Sequence, residues 1–459
     1  MYQIDFKKPI HIFFMGIGGI SMSGLAEILL SEGFRVSGSD RQQSHLTEAL
    51  CEKGATVYYG QKKENLSSNP DLIVYTSAIK KDNPEFVAGH ELGIPFLTRA
   101  QLLGQMMKNY KIPIAVSGTH GKTTTTSMLS QILLEADKDP TLSIGGIYRA
   151  IGGNIRVGGS DYFVTEACEY TNSFLSFFPK IGIILNIEED HLDFFKDIDD
   201  IRNSFHEFAK LLPSDGTLII NGDIPHVGEI TASLPCQVIT FGASPSCGYS
   251  PSDITYDEFG HPSFTLTGPD GKKDSYTLRV PGLYNVYNAS AAVAAARLLG
   301  IDNDIIRKSL SDFNGTDRRF EYKGKINGIT IIDDYAHHPT EITATLQAAK
   351  NYPHKTIWCV FQPHTYSRTK AFLPEFAKAL SHADKLILAD IFAAREKDTL
   401  GISSQTLRAE IEKLGHECYY FPTFEEIENF LLKNCTKDDL LITMGAGDVV
   451  KIGENLLQK

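Results

Sequence analysis

The 459-residue chain is poor in cysteine, and Cys51, Cys168, Cys236, Cys247, Cys359, Cys418 and Cys435 are odd in number with no CxxC pair. That excludes a disulfide framework and a cysteine-ligated zinc cluster, and makes a reducing, cytoplasmic setting the expectation. No apolar run approaches the ~18 residues that a membrane span needs. The apolar opening IHIFFM is broken at once by glycines, and no small-residue cleavage site follows it. Neither insertion nor secretion is expected. Basic residues are in deficit, 44 Lys and Arg against 56 Asp and Glu, for a net charge of -12. This balance argues against duplex nucleic acid or an anionic membrane as the main partner, while leaving room for local basic sites. Low-complexity linkers are also missing. What is present, 42% hydrophobic and 22% charged residues, is a globular composition. At about 150 residues per domain the length suits roughly three domains.

Hydrophobic patterning divides the chain accordingly. IHIFFM reads as a buried strand running into a helix that carries Leu25, Ala26, Leu29 and Leu30, and FRVS, TVYY and DLIVY read as further strands. Residues 1–108 therefore form a first parallel, doubly wound α/β domain. IPIAVSG restarts the pattern and opens a second domain, 109–320, whose next helix places Met128, Leu129, Ile132, Leu133 and Ala136 on one face. DYFVTEA and KIGIILNI are its strands, and the polar stretch 242–275 predicts β hairpins or a surface excursion. The Ala-rich NASAAVAAARLLG predicts a helix over 288–300. From Ile329, ITIID, TIWCVF, KLILAD, ECYYF and LLITM alternate with polar loops and helices, predicting a third, parallel sheet in a domain spanning 321–459. Each loop then lies at a strand's C-terminal end, where open α/β folds hold ligands.

SGTHGKTTTT, Ser117 to Thr126, carries the sharpest chemistry. Glycines let backbone N–H groups wrap phosphate oxygens at a helix N-terminus, a lysine reaches the terminal phosphates, and a hydroxyl follows for Mg²⁺. Gly118, Gly121, Lys122 and Thr123 supply these parts, although Val116 stands where the strict motif has its first glycine. GIGGISMSG is a second glycine loop after a first strand, with Asp40 placed to hold a ribose; it reads as nucleotide binding or as a plain tight turn. Glu166 and Glu169 in TEACEY, and Asn186, Asp190 and His191 in LNIEEDH, follow strands near the phosphate loop and suit a nucleotide-bound cation. DDYAHHPTE and FQPHTYSRTK gather Asp334, His337, His364 and Arg368, which suit an anionic substrate, while Pro339 marks a helix start. MGAGD repeats the glycine logic near the C-terminus.

GIGGISMSGLA, SGTHGKTTTT, EACEYTNSFL, NIEEDHLD, GTDRRFEY, DDYAHHPTE, FQPHTYSRT and GAGD occur in an order and spacing that resemble the Mur ligases, from residue 12 to residue 448. DDYAHHPTE and FQPHTYSRT resemble the branch that adds L-alanine. The resemblance implies an N-terminal Rossmann-like UDP-binding domain, a central P-loop ATPase-type α/β domain and a C-terminal Rossmann-like domain for the amino acid. It implies an ATP-dependent ligase of peptidoglycan precursor synthesis, joining L-alanine to the lactyl carboxylate of UDP-N-acetylmuramate through an acyl phosphate. ATP and two Mg²⁺ ions are the implied cofactors, small molecules the implied partners, and monomer or homodimer the implied state.

By the same resemblance Gly18, Gly19, Ile20 and Ser21 hold the UDP-sugar diphosphate, with Asp40, Thr76 and Ser77 near the uridine. Gly118, Thr119, His120, Gly121, Lys122, Thr123 and Thr124 form the ATP phosphate loop. Asn285 and Asn288 match the adenine side, Arg319 the phosphate side and Asp334 the ribose contact. Thr123 and Glu166 hold one Mg²⁺ and His191 a second, and Tyr335, His337, His364 and Arg368 form the alanine end. Lys122, His191, Arg319 and His337 are the implied catalytic residues. The chain departs from the family at Tyr284, where His is common, and at Thr365, where some relatives have Arg, so carboxylate recognition rests on Arg368. His206 lies near a position that is a carbamylated lysine elsewhere, and no such modification is expected. The alternatives are a ligase that joins a preformed tripeptide to the same UDP-sugar, a UDP-sugar oxidoreductase, and a non-enzymatic nucleotide-binding regulator.

Overall fold

Strand β1 (His11–Met15) is buried at every position, as expected for HIFFM, and sits in the middle of the first sheet. The computed structural model describes residues 2–459 except 77 and 395. β2 (Arg35–Asp40), β3 (Thr56–Tyr59), β4 (Leu72–Tyr75) and β5 (Phe96–Thr98) complete an all-parallel sheet of order β3-β2-β1-β4-β5. The strand order reverses at β1, so the loop leaving it opens into a crevice at the C-terminal edge, where doubly wound sheets bind ligands.

The central sheet comprises β6 (Ile112–Ser117), β7 (Thr141–Tyr148), β8 (Gly153–Arg156), β9 (Tyr162–Glu166), β10 (Ile181–Ile184), β11 (Thr217–Asn221) and β12 (Gln237–Phe241). Its order is β12-β11-β10-β6-β9-β7-β8, parallel except for the β7-β8 hairpin. β6 lies between β10 and β9, which puts the residues after those two strands on either side of the SGTHGKT loop. The polar stretch after β12 folds as a separate antiparallel sheet of β13 (Ser250–Tyr256), β14 (Pro262–Thr267) and β15 (Lys273–Thr277). The Ala-rich helix runs Leu283–Leu298 and so starts earlier than the alanine pattern indicated, with Asn285 and Asn288 inside it.

The last sheet has the order β16-β17-β21-β18-β19-β20, formed by β16 (Glu321–Ile326), β17 (Ile329–Asp334), β18 (Ile357–Phe361), β19 (Lys385–Leu388), β20 (Cys418–Tyr420) and β21 (Leu440–Met444). The expectation of a wholly parallel sheet is corrected at β16, which pairs antiparallel with β17. EYKGKI is polar and only partly buried, as an edge strand can be, so it carries no apolar run to announce it. Neighbouring residues of the inner strands alternate between two cores: Ile332, Phe361 and Ile442 in one, Ile331, Val360 and Leu441 in the other. Both faces of this sheet are therefore covered.

The first and central sheets share a core in which Leu29, Leu102 and Met106 meet Phe174, Phe205 and Phe208. Two glycines make that seam close. A Cβ at Gly24 would overlap Ile155, and one at Gly104 would overlap the Ser176 carbonyl. Among the described residues no helix is long and apolar enough to cross a membrane.

Candidate active site

The phosphate loop is built by β6 ending buried and the chain turning sharply at Gly118 (φ 138°) and Gly121 (φ 83°) into the helix Lys122–Glu135. Both turns lie in the left-handed region that favours glycine, and a Cβ at Gly121 would sit 2.5 Å from Asn288 Oδ1. Asn186, after β10, braces the loop: its Oδ1 accepts from His120 N at 2.7 Å and its carbonyl from Thr119 N at 3.2 Å. Lys122 Nζ folds back over the loop, donating to the Gly118 and Thr119 carbonyls and lying 3.1 Å from Glu169 Oε2. Burial works against its charge, but Glu169, Cys168 and Glu166 push its pKa up to about 12, so it is an ammonium at any working pH. Thr123 Oγ1 donates to Glu166 Oε2 at 3.1 Å, and Glu166 Oε1 accepts from Gly145 N at 2.5 Å. This hydroxyl and carboxylate, side by side at a phosphate loop, are the oxygen donors that a hard divalent cation takes.

Next to the loop a cavity of ≈ 200 Å³ is lined by Tyr284, Asn285, Asn288, Arg319, Asp334 and His120, among others from the central and C-terminal domains. Asn288 Nδ2 donates to Asn285 Oδ1 (3.0 Å), and Asn285 Nδ2 to the Pro281 carbonyl (2.8 Å), so the pair is held in a fixed orientation. Asp334 accepts from Phe320 N at 2.8 Å and Ala336 N at 2.7 Å. Burial raises its pKa to about 6 in spite of Arg319. Arg318 is tied to Asp333 (3.0 Å) and to the Gly445 and Gly447 carbonyls (2.7 and 3.0 Å), which uses the GAGD loop. Arg319 is the member of the pair left to line the cavity.

A second pocket, of ≈ 250 Å³, gathers Tyr335, His337, His364 and Arg368 with Asp190, His191 and Glu396. Arg368 donates from Nε and Nη2 to Asp190 Oδ1 (3.2 and 3.0 Å), and its Nη1 lies 3.1 Å from His364 Nδ1. Burial disfavours the Asp190 charge, yet Arg368 and the neighbouring histidines hold its carboxyl well below the usual range. His337 Nδ1 is 3.0 Å from the Tyr335 carbonyl, which makes Nδ1 the protonated nitrogen and leaves Nε2 with a lone pair. Burial lowers its pKa to about 4. Thr365, at a left-handed φ of 68°, caps the helix Tyr366–Ala371 through Oγ1, which gives a local role to the residue found in place of Arg. His191 Nε2 is 3.7 Å from Asp190 Oδ2 and 3.8 Å from Glu169 Oε1. An unbroken chain of polar groups thus runs Lys122–Glu169–His191–Asp190–Arg368, from the phosphate loop to the second pocket.

The two domains also meet at His120, whose Nδ1 lies 3.1 Å from Glu341 Oε1 and whose Nε2 lies 3.4 Å from Glu188 Oε2. His120, Glu188 and His338 are close enough to one another to hold a metal ion. His338, however, has both ring nitrogens engaged, Nε2 with the Glu189 carbonyl and Nδ1 with Thr340 N. Two carboxylates also favour a protonated His120, so the cluster is a charge pairing across the seam.

The first glycine loop lies apart, on the first sheet. Gly18 N donates to Asp40 Oδ2 at 2.8 Å, and Thr76 packs against Gly16. Ser77 lies outside the described residues. Ser21 Oγ accepts from Arg99 Nη1 at 2.9 Å, and the Ile20 carbonyl from Asn154 Nδ2 at 3.2 Å. Burial pulls the Arg99 guanidinium's pKa below its ordinary value, against the opposing charge of Glu166. Sequence reasoning assigned no role to Arg99, Glu188, Glu341 or Glu396: Arg99 and Glu396 stand outside every motif, and Glu188 and Glu341, although inside NIEEDHLD and DDYAHHPTE, were passed over for the residues beside them. His206 is on the helix Ile198–Ala209, with Nδ1 2.9 Å from the Ile230 carbonyl.

Three family descriptions match in series: Mur ligase family, catalytic domain, over residues 11–111; Mur ligase middle domain, over 116–296; and Mur ligase, glutamate ligase domain, over 318–447. The chain is 62% identical to the UDP-N-acetylmuramate--L-alanine ligase of Lachnospira eligens and 59% identical to that of Agathobacter rectalis, each over 100% of both chains. Among solved structures it is similar to the UDP-N-acetylmuramate-alanine ligase of Thermotoga maritima, with a TM-score of 0.82 at 29% identity over 98% of both chains. A murein peptide ligase from Psychrobacter arcticus is also similar, with a TM-score of 0.73 at 26% identity over 98% of both.

Proposed function

The chain belongs to the Mur ligase family, and on that premise we propose that it joins L-alanine to the lactyl carboxylate of UDP-N-acetylmuramate, converting ATP to ADP and phosphate in peptidoglycan precursor synthesis. What supports the reading at the level of residues is the chain Lys122–Glu169–His191–Asp190–Arg368, which connects the phosphate-loop lysine to the second pocket.

A carboxylate does not condense with an amine in water, because the group that must leave is poor. Attack of the lactyl carboxylate on the γ-phosphate turns it into an acyl phosphate; the alanine amine then adds, and phosphate leaves from a tetrahedral intermediate. Both steps crowd anions together. Lys122 and Arg319 are the cations this chain brings to the phosphates, and preorganised charge of this kind is the main source of acceleration in phosphoryl transfer. Thr123, Glu166 and His191 would hold Mg²⁺, which when bound neutralises phosphate charge. Asn285, Asn288 and Asp334 hold the nucleoside, and the Gly18–Ser21 loop holds the UDP-sugar diphosphate. Arg368 takes the alanine carboxylate in the place that Asp190 now occupies. His337, neutral and held through Nδ1 on the Tyr335 carbonyl, leaves Nε2 as an acceptor for a hydrogen bond from the incoming amine.

The test is phosphate release from ATP with Mg²⁺ and UDP-N-acetylmuramate, offered L-alanine, glycine, L-serine or the tripeptide, with product masses. The expected result is release strongest with L-alanine and the matching mass gain. Release with the tripeptide alone moves the protein to the tripeptide-joining branch, and no release with any acceptor overturns the assignment.

A further inference from the structure

We infer that Glu341 is a positioning residue that ties the phosphate loop to the amino-acid pocket, so that the amine-side histidine is set in place when the C-terminal domain is seated on the loop that holds the nucleotide. The inference rests on the ligase reading above and adds to it a residue and a coupling.

Glu341 is the third residue of the helix Pro339–Ala349, a place where glutamate commonly caps the helix from a solvent-exposed position. Here its side chain is only 14% exposed and both oxygens are engaged. Oε2 accepts from His337 N at 3.1 Å and His338 N at 3.3 Å, and lies 3.5 Å from His337 Nδ1. Oε1 faces the other domain and meets His120 Nδ1 at 3.1 Å. A buried carboxylate is expensive unless it is fully hydrogen-bonded, so these contacts hold the group in one geometry.

Other contacts cross the same seam. Thr340 Oγ1 donates to Glu188 Oε2 at 2.6 Å, and His338 Nε2 lies 3.0 Å from the Glu189 carbonyl. Glu341 hydrogen-bonds both a nucleotide-loop residue, His120, and a residue lining the amino-acid pocket, His337, whereas His338 reaches His120 and the pocket residue Phe372 through ring contacts alone. His120 is itself fastened to the loop through its amide on Asn186 Oδ1 at 2.7 Å. A change in the loop when phosphates bind is therefore passed through one carboxylate to the backbone and ring of His337. The same contact explains why a helix cap should be buried at all.

The experiment is L-alanine binding by calorimetry to the full chain saturated with UDP-N-acetylmuramate, with and without Mg²⁺ and a non-hydrolysable ATP analogue. In the unmodified protein the analogue is expected to tighten L-alanine by about tenfold, within the usual range for coupled sites. Glu341→Gln keeps the size and an acceptor for the cap but loses the charge; it is expected to reduce the coupling to less than about twofold, raising KM for L-alanine more than KM for ATP. Coupling unchanged in this folded variant would overturn the inference. So would its absence in the unmodified protein, a result that needs no variant. Failure of the ligase reading is separate: there the unmodified protein makes no alanine-containing product.

Discussion

Lys122 and Asp334 show how single side chains are set for their tasks by what surrounds them. Lys122 is held over the phosphate loop by two carbonyls and Glu169, which keep it charged although it is nearly buried. Lys122→Met removes a preorganised charge at the transferring phosphate, and kcat is expected to fall by about 10³, worth ~4 kcal/mol, with the thermal midpoint and KM for L-alanine little changed. Steady-state kinetics beside a melting curve checks this. Asp334 gives a pH test. Burial raises its pKa to about 6, so lowering the pH through that value protonates it and removes an acceptor for a ribose hydroxyl. KM for ATP is expected to rise between pH 7 and 5.5, and Asp334→Asn to give a high KM over the whole interval. An unmodified protein with a flat ATP profile would remove Asp334 from the nucleoside site.

Turns and strand ends place these side chains, and here the sequence is unevenly readable. HIFFM, LIVY and LLITM are apolar runs buried almost throughout, and patterning finds them. EYKGKI is a polar edge and is invisible to the same reasoning. The phosphate loop is legible because Gly118, Gly121, Lys122 and Thr123 stand together between a strand and a helix, even with Val116 in place of the strict motif's first glycine. The Gly121 position can be tested directly: Gly121→Ala places a Cβ 2.5 Å from Asn288 Oδ1 at a left-handed φ. That should cost about 1–3 kcal/mol and weaken ATP binding measured by calorimetry more than it lowers the thermal midpoint. The pairing of His120 with Glu341 joins residues 221 positions apart and leaves no local trace, because each is explained by its own motif as a loop residue or a helix cap. Arg99 is hidden for the same reason: its partner Ser21 lies 78 positions away on another element.

At the scale of the whole molecule, the proposed reaction calls for the C-terminal domain to be closed on the central one, because acyl phosphates hydrolyse where water enters. His120 makes that closure sensitive to pH. Burial disfavours its charge, but Glu341 and Glu188 raise its pKa from 6.5 to about 9, with the His338 ring tilted against it 4.8 Å away. A raised histidine pKa stabilises the docked state fully below about 6.5, and the contribution is lost as pH rises through about 9. Small-angle scattering is expected to show the chain expanding between pH 7 and 9.5, while the first–central seam, packed on Phe174 and Phe208, stays closed. A radius of gyration constant over that interval would contradict the closure role given to His120.

The central claim is that ATP activates the lactyl carboxylate itself. UDP-N-acetylmuramate carrying ¹⁸O in that carboxylate, turned over with ATP, Mg²⁺ and L-alanine, tests it in one mass spectrum. One labelled oxygen per turnover should appear in inorganic phosphate and the other should remain in the new amide. Unlabelled phosphate, or label recovered in AMP, would contradict the account.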